Sequence, residues 1–215
     1  FWDHAIQQDA PRLKAQAAKI DVWLKPALGR YLVCEYHSGV YTPALVDTMQ
    51  GRLRWYAARG MKGVLFTYGH PKNFSALWVY LHSRLLWDPA QDAGALVNDF
   101  IDFTYGEAAA PLKRFIALSR QRYRETIGRT LVDGYPAAFY EDTYADQCLS
   151  AFDEARKLAA PTLRSAIAKE QKLFVMDWME HPVSTTPSPE ARARFGRQLD
   201  CLGGLVGTST VERVA

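Results

Sequence analysis

The sequence predicts an α/β region followed by an all-α region, and three observations support this prediction. Two short, mostly apolar runs, residues 30–37 and 63–69, are too short for stable helices and indicate strands. Segments with apolar residues at helical spacing precede, separate and follow these runs. After Asp88 no further strand-like run occurs, and helical patterns continue towards the end of the chain. Helix, strand, helix, strand, helix is the order of βα units with parallel strands.

The elements of the first region have recognisable starts and stops. A helix is predicted within residues 10–28, with Gly29 as its stop, and a second one from Pro43 to Gly60. A third helix is capped by Asn73 or Ser75 and runs to Trp87. The positions expected to face the core in these three helices are Leu13, Ala17, Ile20, Leu24, Leu45, Met49, Leu53, Tyr56, Leu77, Leu81 and Leu85.

The second region contains helices alone. Asp92 is expected to cap a helix that Gly106 closes, and further helices are predicted at residues 108–127, 143–158, 162–179 and 189–202. Residues 128–136 and 181–189 carry the Gly and Pro of loops. The chain is therefore divided into residues 1–87, the α/β part, and residues 88–215, a helical domain.

Two parallel strands make a poor sheet, because their apolar edges and faces stay uncovered. Residues 1–87 are therefore expected to be either the closing βα units of a (β/α)8 barrel begun upstream or an assembly completed by a partner. Parallel strands are buried on both faces, which explains why neither run alternates polar with apolar residues.

Composition excludes several classes of function. The 215 residues carry 26 Lys and Arg against 23 Asp and Glu, a net charge of +3 with the two signs interspersed, so nucleic acid is not an expected partner. No apolar run is long enough to span a bilayer. The sequence has no Walker loop, dinucleotide fingerprint, GxSxG or HExxH motif, so no cofactor is predicted. Cys34, Cys148 and Cys201 follow no redox or zinc spacing and are predicted to be buried as small apolar residues.

Several segments form a more specific pattern. These are a Trp-containing helix around Trp23, a strand ending in Glu35-Tyr36, the stretch 53–64 (LRWYAARGMKGV), the motif Leu-Leu-Trp-Asp-Pro-x-x-Asp at residues 85–92, and Tyr-Gly-x-Ala-Ala at 105–109. In this order they resemble the domain-of-unknown-function 4838 family, over residues 20–125.

The resemblance implies a fold and a class of function. Members of that family resemble glycoside hydrolases of the α-glucuronidase and hexosaminidase kind, in which helices follow a barrel, and many occur among bacterial glycan-degrading proteins. It implies a glycan or sugar ligand and favours a periplasmic or extracellular location. The family often has an acidic residue and Gln after the aromatic of the second strand, where this sequence has Phe66-Thr67-Tyr68-Gly69.

In a (β/α)8 barrel the active site lies at the carboxyl ends of the strands, which selects Glu35 as the candidate catalytic residue. A glycosidase needs a pair of carboxyl groups, one as acid and one as base or nucleophile. Only one is present here, so the pair is expected on strands upstream of this chain. The Glu35 carboxylate could also bind a sugar hydroxyl or make a structural hydrogen bond, and these alternatives stay open.

The other strand-end residues are candidates for sugar binding. His37 and His70 could meet across neighbouring strand ends and bind a sugar carboxylate; a metal site would need a third ligand, and none is evident nearby. Tyr36, Tyr41 and Tyr68 could stack on a pyranose ring. Trp78 is a weaker candidate for stacking, because the tryptophans in helices (Trp55, Trp78, Trp87 and Trp178) are expected to be core residues. The alternative function is a non-catalytic carbohydrate-binding or scaffold protein.

Overall fold

In the computed structural model, residues 18, 21–22, 32–37, 46–68, 73–126, 141–180 and 189–206 are described. The strands are β1 (Leu32–His37) and β2 (Gly63–Tyr68). The helices are α1 (Val46–Ala58), α2 (Ser75–Trp87), α3 (Ala93–Tyr105), α4 (Ala109–Thr126), α5 (Asp142–Leu158), α6 (Pro161–Glu180) and α7 (Pro189–Val206), with a 3-10 turn at Gly106–Ala108 between α3 and α4.

The chain divides into two compact units. The mixed unit comprises Phe1–Pro71 and Ser75–Val97, and the helical unit comprises Lys72–Phe74 and Asn98–Ala215. The division therefore falls within α3, and Lys72–Phe74, directly before α2, belong to the helical unit. The predicted boundary between residues 87 and 88 stays a prediction.

The mixed unit contains the βα pattern expected from the sequence. Strands β1 and β2 pair in parallel and α1 connects them, while α1 also packs on α2. Gly60 has φ +70° and ends α1 in a Schellman motif, in which Met61 N donates to Tyr56 O at 3.2 Å and Gly60 N to Ala57 O at 3.0 Å. The barrel itself is not part of the described structure, whose sheet has two strands.

The core of the mixed unit uses the expected helix faces. On α1 and α2 these faces bury Met49, Leu53, Tyr56, Leu77, Leu81 and Leu85. Most of the predicted helix 10–28 lies outside the described residues, and its described residues 18, 21 and 22 are helical. Leu45 also lies outside the described residues. Asn73 does not cap α2, since its buried side-chain amide has no hydrogen-bond partner among the described residues.

The helical unit is built from consecutive helices, with α4 packed on α5, α5 on α6 and α6 on α7. Pro161 occupies the first position of α6, where the missing N–H costs nothing. Asp92 caps α3 as predicted: its Oδ1 accepts from Gly94 N at 2.7 Å and from Ala95 N at 3.2 Å. None of the helices in the described part of the chain is long and apolar enough to cross a bilayer.

Two predictions about burial are wrong in part. Cys148 is buried, but Cys34 and Cys201 are exposed, because Cys34 lies on the same open sheet face as Leu32 and Cys201 on the outer side of α7. Trp78 and Trp178 are core residues, whereas Trp87 is 91% exposed. Trp87 is exposed because Leu85 is buried on the inner side of α2, and a residue two positions later lies about 200° further round the helix.

Candidate functional site

The carboxyl ends of β1 and β2 lie side by side. The parallel register pairs Glu35 with Phe66, Tyr36 with Thr67 and His37 with Tyr68. Neighbouring strands are about 4.8 Å apart, so the backbone positions of four predicted site residues share one short sheet edge. Both strands end at the last of these pairs. The structure therefore brings Glu35, Tyr36, His37 and Tyr68 together at the level of the backbone, while Tyr41 and His70 lie outside the described residues.

One face of this sheet is apolar and open. Leu32 is 72% exposed and Leu65 61% exposed, and Cys34, which pairs with Leu65 in the register, is exposed as well. Gly63 leaves room for Leu32, whose Cδ2 would lie 3.0 Å from a Cβ at residue 63. Parallel sheets are normally covered on both faces. The apolar residues on this face are therefore typical of a face that packs against other elements.

The Leu-Leu-Trp-Asp-Pro-x-x-Asp motif builds a clamped turn between α2 and α3. Arg54 on α1 donates from Nε to Pro89 O at 2.8 Å and from a second guanidinium nitrogen to Ala90 O at 3.1 Å. Asp88 Oδ1 accepts from Ala90 N at 2.9 Å. A further hydrogen bond joins α2 to the turn, because a guanidinium nitrogen of Arg84 donates to Gln91 Oε1 at 3.0 Å. Asp88, Pro89 and Asp92 of the motif are thus accounted for by turn and capping geometry.

The Tyr-Gly-x-Ala-Ala motif also has a structural explanation. Gly106 has φ +52°, a left-handed conformation that ends α3 and allows the 3-10 turn before α4. Tyr105 is buried and its ring lies 6.2 Å from the Phe74 ring, while Ala108 and Ala109 are buried small residues. Residues of both specific motifs therefore form the turns between α2 and α3 and between α3 and α4.

A half-buried carboxyl group in the helical unit was missed by the sequence analysis. Glu170 on α6 accepts a hydrogen bond at Oε2 from Phe74 N. Burial raises the pKa of Glu170 to about 7, while the Phe74 N–H and the Lys169 ammonium act in the opposite direction. The helical spacing could have indicated this residue. Glu170 stands three residues after Ile167 and four before Phe174, so it lies on the same face of the helix as these two buried residues.

Phe74 belongs to an aromatic cluster at the centre of the helical unit. Its ring stacks on Phe115 at 5.6 Å and on Phe152 at 6.3 Å, and Phe174 contacts the same two rings at 5.6 and 6.0 Å. The same desolvation that acts on Glu170 raises the pKa of Tyr105, with the Glu170 charge as a second cause. Glu170 therefore lies at the edge of a well-packed apolar core.

The helical unit also has an open groove of about 410 Å³ with acidic walls, lined by Asp146, Leu149, Ser150, Asp153, Glu154, Lys157 and Gln198. Its carboxylates are already paired: Asp146 with Arg194 at 2.9 Å, Asp153 with Arg156 at 3.6 Å, and Glu154 with Arg114 at 2.5 Å. Within the described ranges, no three His, Cys, Asp or Glu side chains are grouped to hold a metal ion. The groove is a set of surface ion pairs.

Comparison with known proteins identifies a family. Residues 3–117, more than half of the chain, match the family model described as "Domain of unknown function (DUF4838)". The match spans the strand ends, the clamped turn and the Tyr-Gly-x-Ala-Ala motif. No curated protein and no solved structure matches the chain.

Proposed function

Because this chain belongs to the DUF4838 family, we propose that it is part of a glycoside hydrolase-like protein that acts on or binds glycans. In this proposal β1 and β2 are the closing strands of a (β/α)8 barrel, and their carboxyl ends line one side of a sugar pocket. The catalytic carboxylate pair lies on strands other than these two. The observation that carries the proposal is the parallel register that groups Glu35, Tyr36, His37 and Tyr68 at one edge.

Two features of the mixed unit support the barrel. The strands are parallel and joined through α1, which is the repeating unit of (β/α)8 proteins. The open face with Leu32 and Leu65 is apolar, as both faces of a barrel strand are, because side chains fill the interior and helices cover the outside. Elements that cover this face would remove two large apolar side chains from water, each worth roughly 1.5–3 kcal/mol when fully buried.

The strand-end residues supply the chemistry that sugar recognition uses. Glu35 can accept hydrogen bonds from sugar hydroxyls beside the catalytic pair. His37 and His70 can donate hydrogen bonds to a sugar carboxylate, the group that hexuronic acids carry. Tyr36, Tyr41 and Tyr68 offer rings for stacking on the apolar face of a pyranose.

The first test is substitution of Glu35 by Gln, compared with the matched substitution Glu107→Gln at an exposed position of the helical unit. Glu35→Gln should lower turnover or sugar affinity at least tenfold, or about 1.4 kcal/mol, while Glu107→Gln should have no effect. Binding of oligosaccharides containing hexosamine or hexuronate is measured by titration calorimetry, and turnover by release of reducing ends. An unchanged kcat/KM and affinity in Glu35→Gln would remove Glu35 from the site.

The second candidate function is a non-catalytic carbohydrate-binding or scaffold protein. The Thr67-Tyr68 sequence favours it, because the polar pair often found there in the family is replaced. This candidate predicts sugar binding without release of reducing ends. Hydrolysis that is abolished by changing carboxylates on other strands would instead favour the enzyme.

A further inference from the structure

Helix α1 of the mixed unit has a neighbouring helix on two different sides. On one side, Arg59 Nε donates to Asp21 Oδ1 at 2.7 Å, and the Arg59 guanidinium lies 3.6 Å from the centre of the Trp55 ring. Asp21 belongs to the helical segment that precedes β1. On another side, α1 packs on α2. The helices of this unit therefore follow one another in chain order: the segment with Asp21, then α1, then α2.

Helix α2 meets α1 on the side that carries Arg84. Gln50 on α1 donates to Gln91 O, and Arg54 on α1 donates to Pro89 O at 2.8 Å. Both acceptors lie in the turn after α2, and Gln91 Oε1 accepts in turn from Arg84 at 3.0 Å. The Arg84 side of α2 is thus occupied by α1 and by the turn that α1 holds.

The opposite side of α2 is apolar and uncovered. Val79 is 50% exposed and Leu86 is 41% exposed, and they lie about 140° and 200° round the helix from Arg84. Ser83 lies one turn from each of them and donates its hydroxyl to Val79 O at 2.9 Å, so covering this side would leave no unsatisfied hydroxyl donor. A helix that is apolar on nearly all sides is normally covered by other elements. We refer to Val79, Ser83 and Leu86 as the free flank of α2.

The edge of β2 that faces away from β1 is also free in the described sheet, which has two strands. Native edge strands are usually protected by charged side chains or proline, and β2, with the sequence Gly-Val-Leu-Phe-Thr-Tyr, has neither. In consecutive right-handed βα units the helices advance in the same direction as the strands. The free edge of β2 and the free flank of α2 therefore lie on the same side of the mixed unit.

We propose that this edge and this flank form the seam at which the barrel closes, and that the first βα unit of the barrel docks there. Its strand pairs with β2 in parallel, and its helix packs on Val79 and Leu86. Continuity supports this occupant, because the next helix position beside α2 repeats the packing that α1 already makes. The described residues after α2 form helices and turns and supply no strand, so we assign the docking unit to sequence that precedes β1.

The seam extends the proposed function by identifying the neighbour of β2. In a closed barrel the carboxyl ends of all strands lie at one rim. The carboxyl end of the first barrel strand then lies beside Tyr68, and the sugar pocket continues from β2 onto that strand. The inference rests on the barrel of the proposed function and does not depend on sugar binding.

Hydrogen exchange of the protein as its natural source makes it, read by mass spectrometry on peptides covering residues 63–68, tests the seam without any variant. An edge strand leaves roughly half of its amides unpaired, whereas a strand paired on both sides protects nearly all of them. We expect every amide from Val64 to Tyr68 to exchange at least tenfold more slowly than in an unstructured peptide. Exchange of alternate amides without protection would overturn the seam.

Cysteine labelling of the same protein tests the free flank. Val79→Cys and Leu86→Cys should react with a maleimide at least tenfold more slowly than the control Ala58→Cys, at an exposed position of α1. Mass spectrometry of the tryptic peptides 55–59, 73–84 and 85–113 reads these positions separately from the native cysteines. Labelling of residues 79 and 86 as fast as that of residue 58 would contradict the docking of a helix on this flank.

Two further measurements separate the alternatives. Light scattering under the same conditions should show protection in the monomer, and protection confined to a dimer would assign the surface to a second copy and overturn the proposal. Sugar binding is titrated independently. A protected seam without sugar binding would support the seam and count against the proposed function, whereas sugar binding with an unprotected seam would reject the seam alone.

Discussion

Replacing Glu170 with Gln should remove a pH dependence from the stability of the protein. The pKa of Glu170 is raised from 4.5 to about 7 in the folded state, mainly by desolvation. The folded state therefore holds this proton more tightly than the unfolded state. The stability that the proton confers is complete below about pH 4.5, declines as pH rises, and is lost above about pH 7.

The magnitude follows from the size of the shift. One pKa unit corresponds to about 1.4 kcal/mol, so a shift of this size gives an upper value of about 3 kcal/mol. Glu170 keeps partial exposure to solvent, which screens the effect, and we expect about 2 kcal/mol. Over the range pH 4.5 to 8, the free energy of unfolding should fall by this amount in the unmodified protein relative to Glu170→Gln.

Urea unfolding monitored by circular dichroism at pH 4.5, 6, 7 and 8 measures this difference. The control is Glu154→Gln, which removes an exposed ion pair with Arg114 and should shift stability by at most about 1 kcal/mol at every pH. Parallel pH profiles for the unmodified protein and Glu170→Gln would refute the reasoning, since they would mean that the buried carboxyl titrates alike in the folded and unfolded states.

Three further pairs of substitutions test the turns and helix ends. Gly106→Ala should destabilise the protein by about 1 kcal/mol, because the backbone there has φ +52°. Gly196→Ala inside α7 should stabilise it by up to about 1 kcal/mol, because a Cβ there meets nothing within 4 Å. Thermal unfolding that shifted stability in the same direction for both variants would contradict this account. Arg54→Ala should cost about 1 kcal/mol through the two lost bonds to residues 89 and 90, and Lys62→Ala at an exposed position should be neutral in the same urea titration. Asp92→Ala should cost about 1 kcal/mol and Asp92→Ser should restore most of it, so equal losses would exclude capping as the role of Asp92.

Local sequence signals predicted most of the described elements. Gly60, Asp92 and Gly106 act through their own backbone geometry, so the helix ends they mark could be predicted from neighbouring residues alone. The buried faces with Met49, Leu53 and Leu81 follow from helical spacing. The grouping of Glu35 with Tyr68 followed from the rule that parallel strands end at one edge.

Long-range packing was not predictable in the same way. Nothing local to Phe74 indicates a left-handed backbone or a partner 96 residues away, because both depend on how α6 packs. Trp87 was expected in a core on hydrophobicity alone, yet its position on the helix turns it outward. The clamp by Arg54 similarly joins residues about 35 positions apart, so the motif at 85–92 was recognised before its physical role was visible.

The most direct test of the sugar site is photoaffinity labelling of the protein with a diazirine-bearing oligosaccharide that contains hexosamine or hexuronate, followed by tryptic digestion and mass spectrometry. The account predicts label on residues 31–52 and 63–72, the two tryptic peptides that contain the carboxyl ends of β1 and β2, and loss of that label with excess unmodified sugar. Competed label confined to peptides of the helical unit, or no competed label at all, would contradict the assignment of the strand ends as the sugar site.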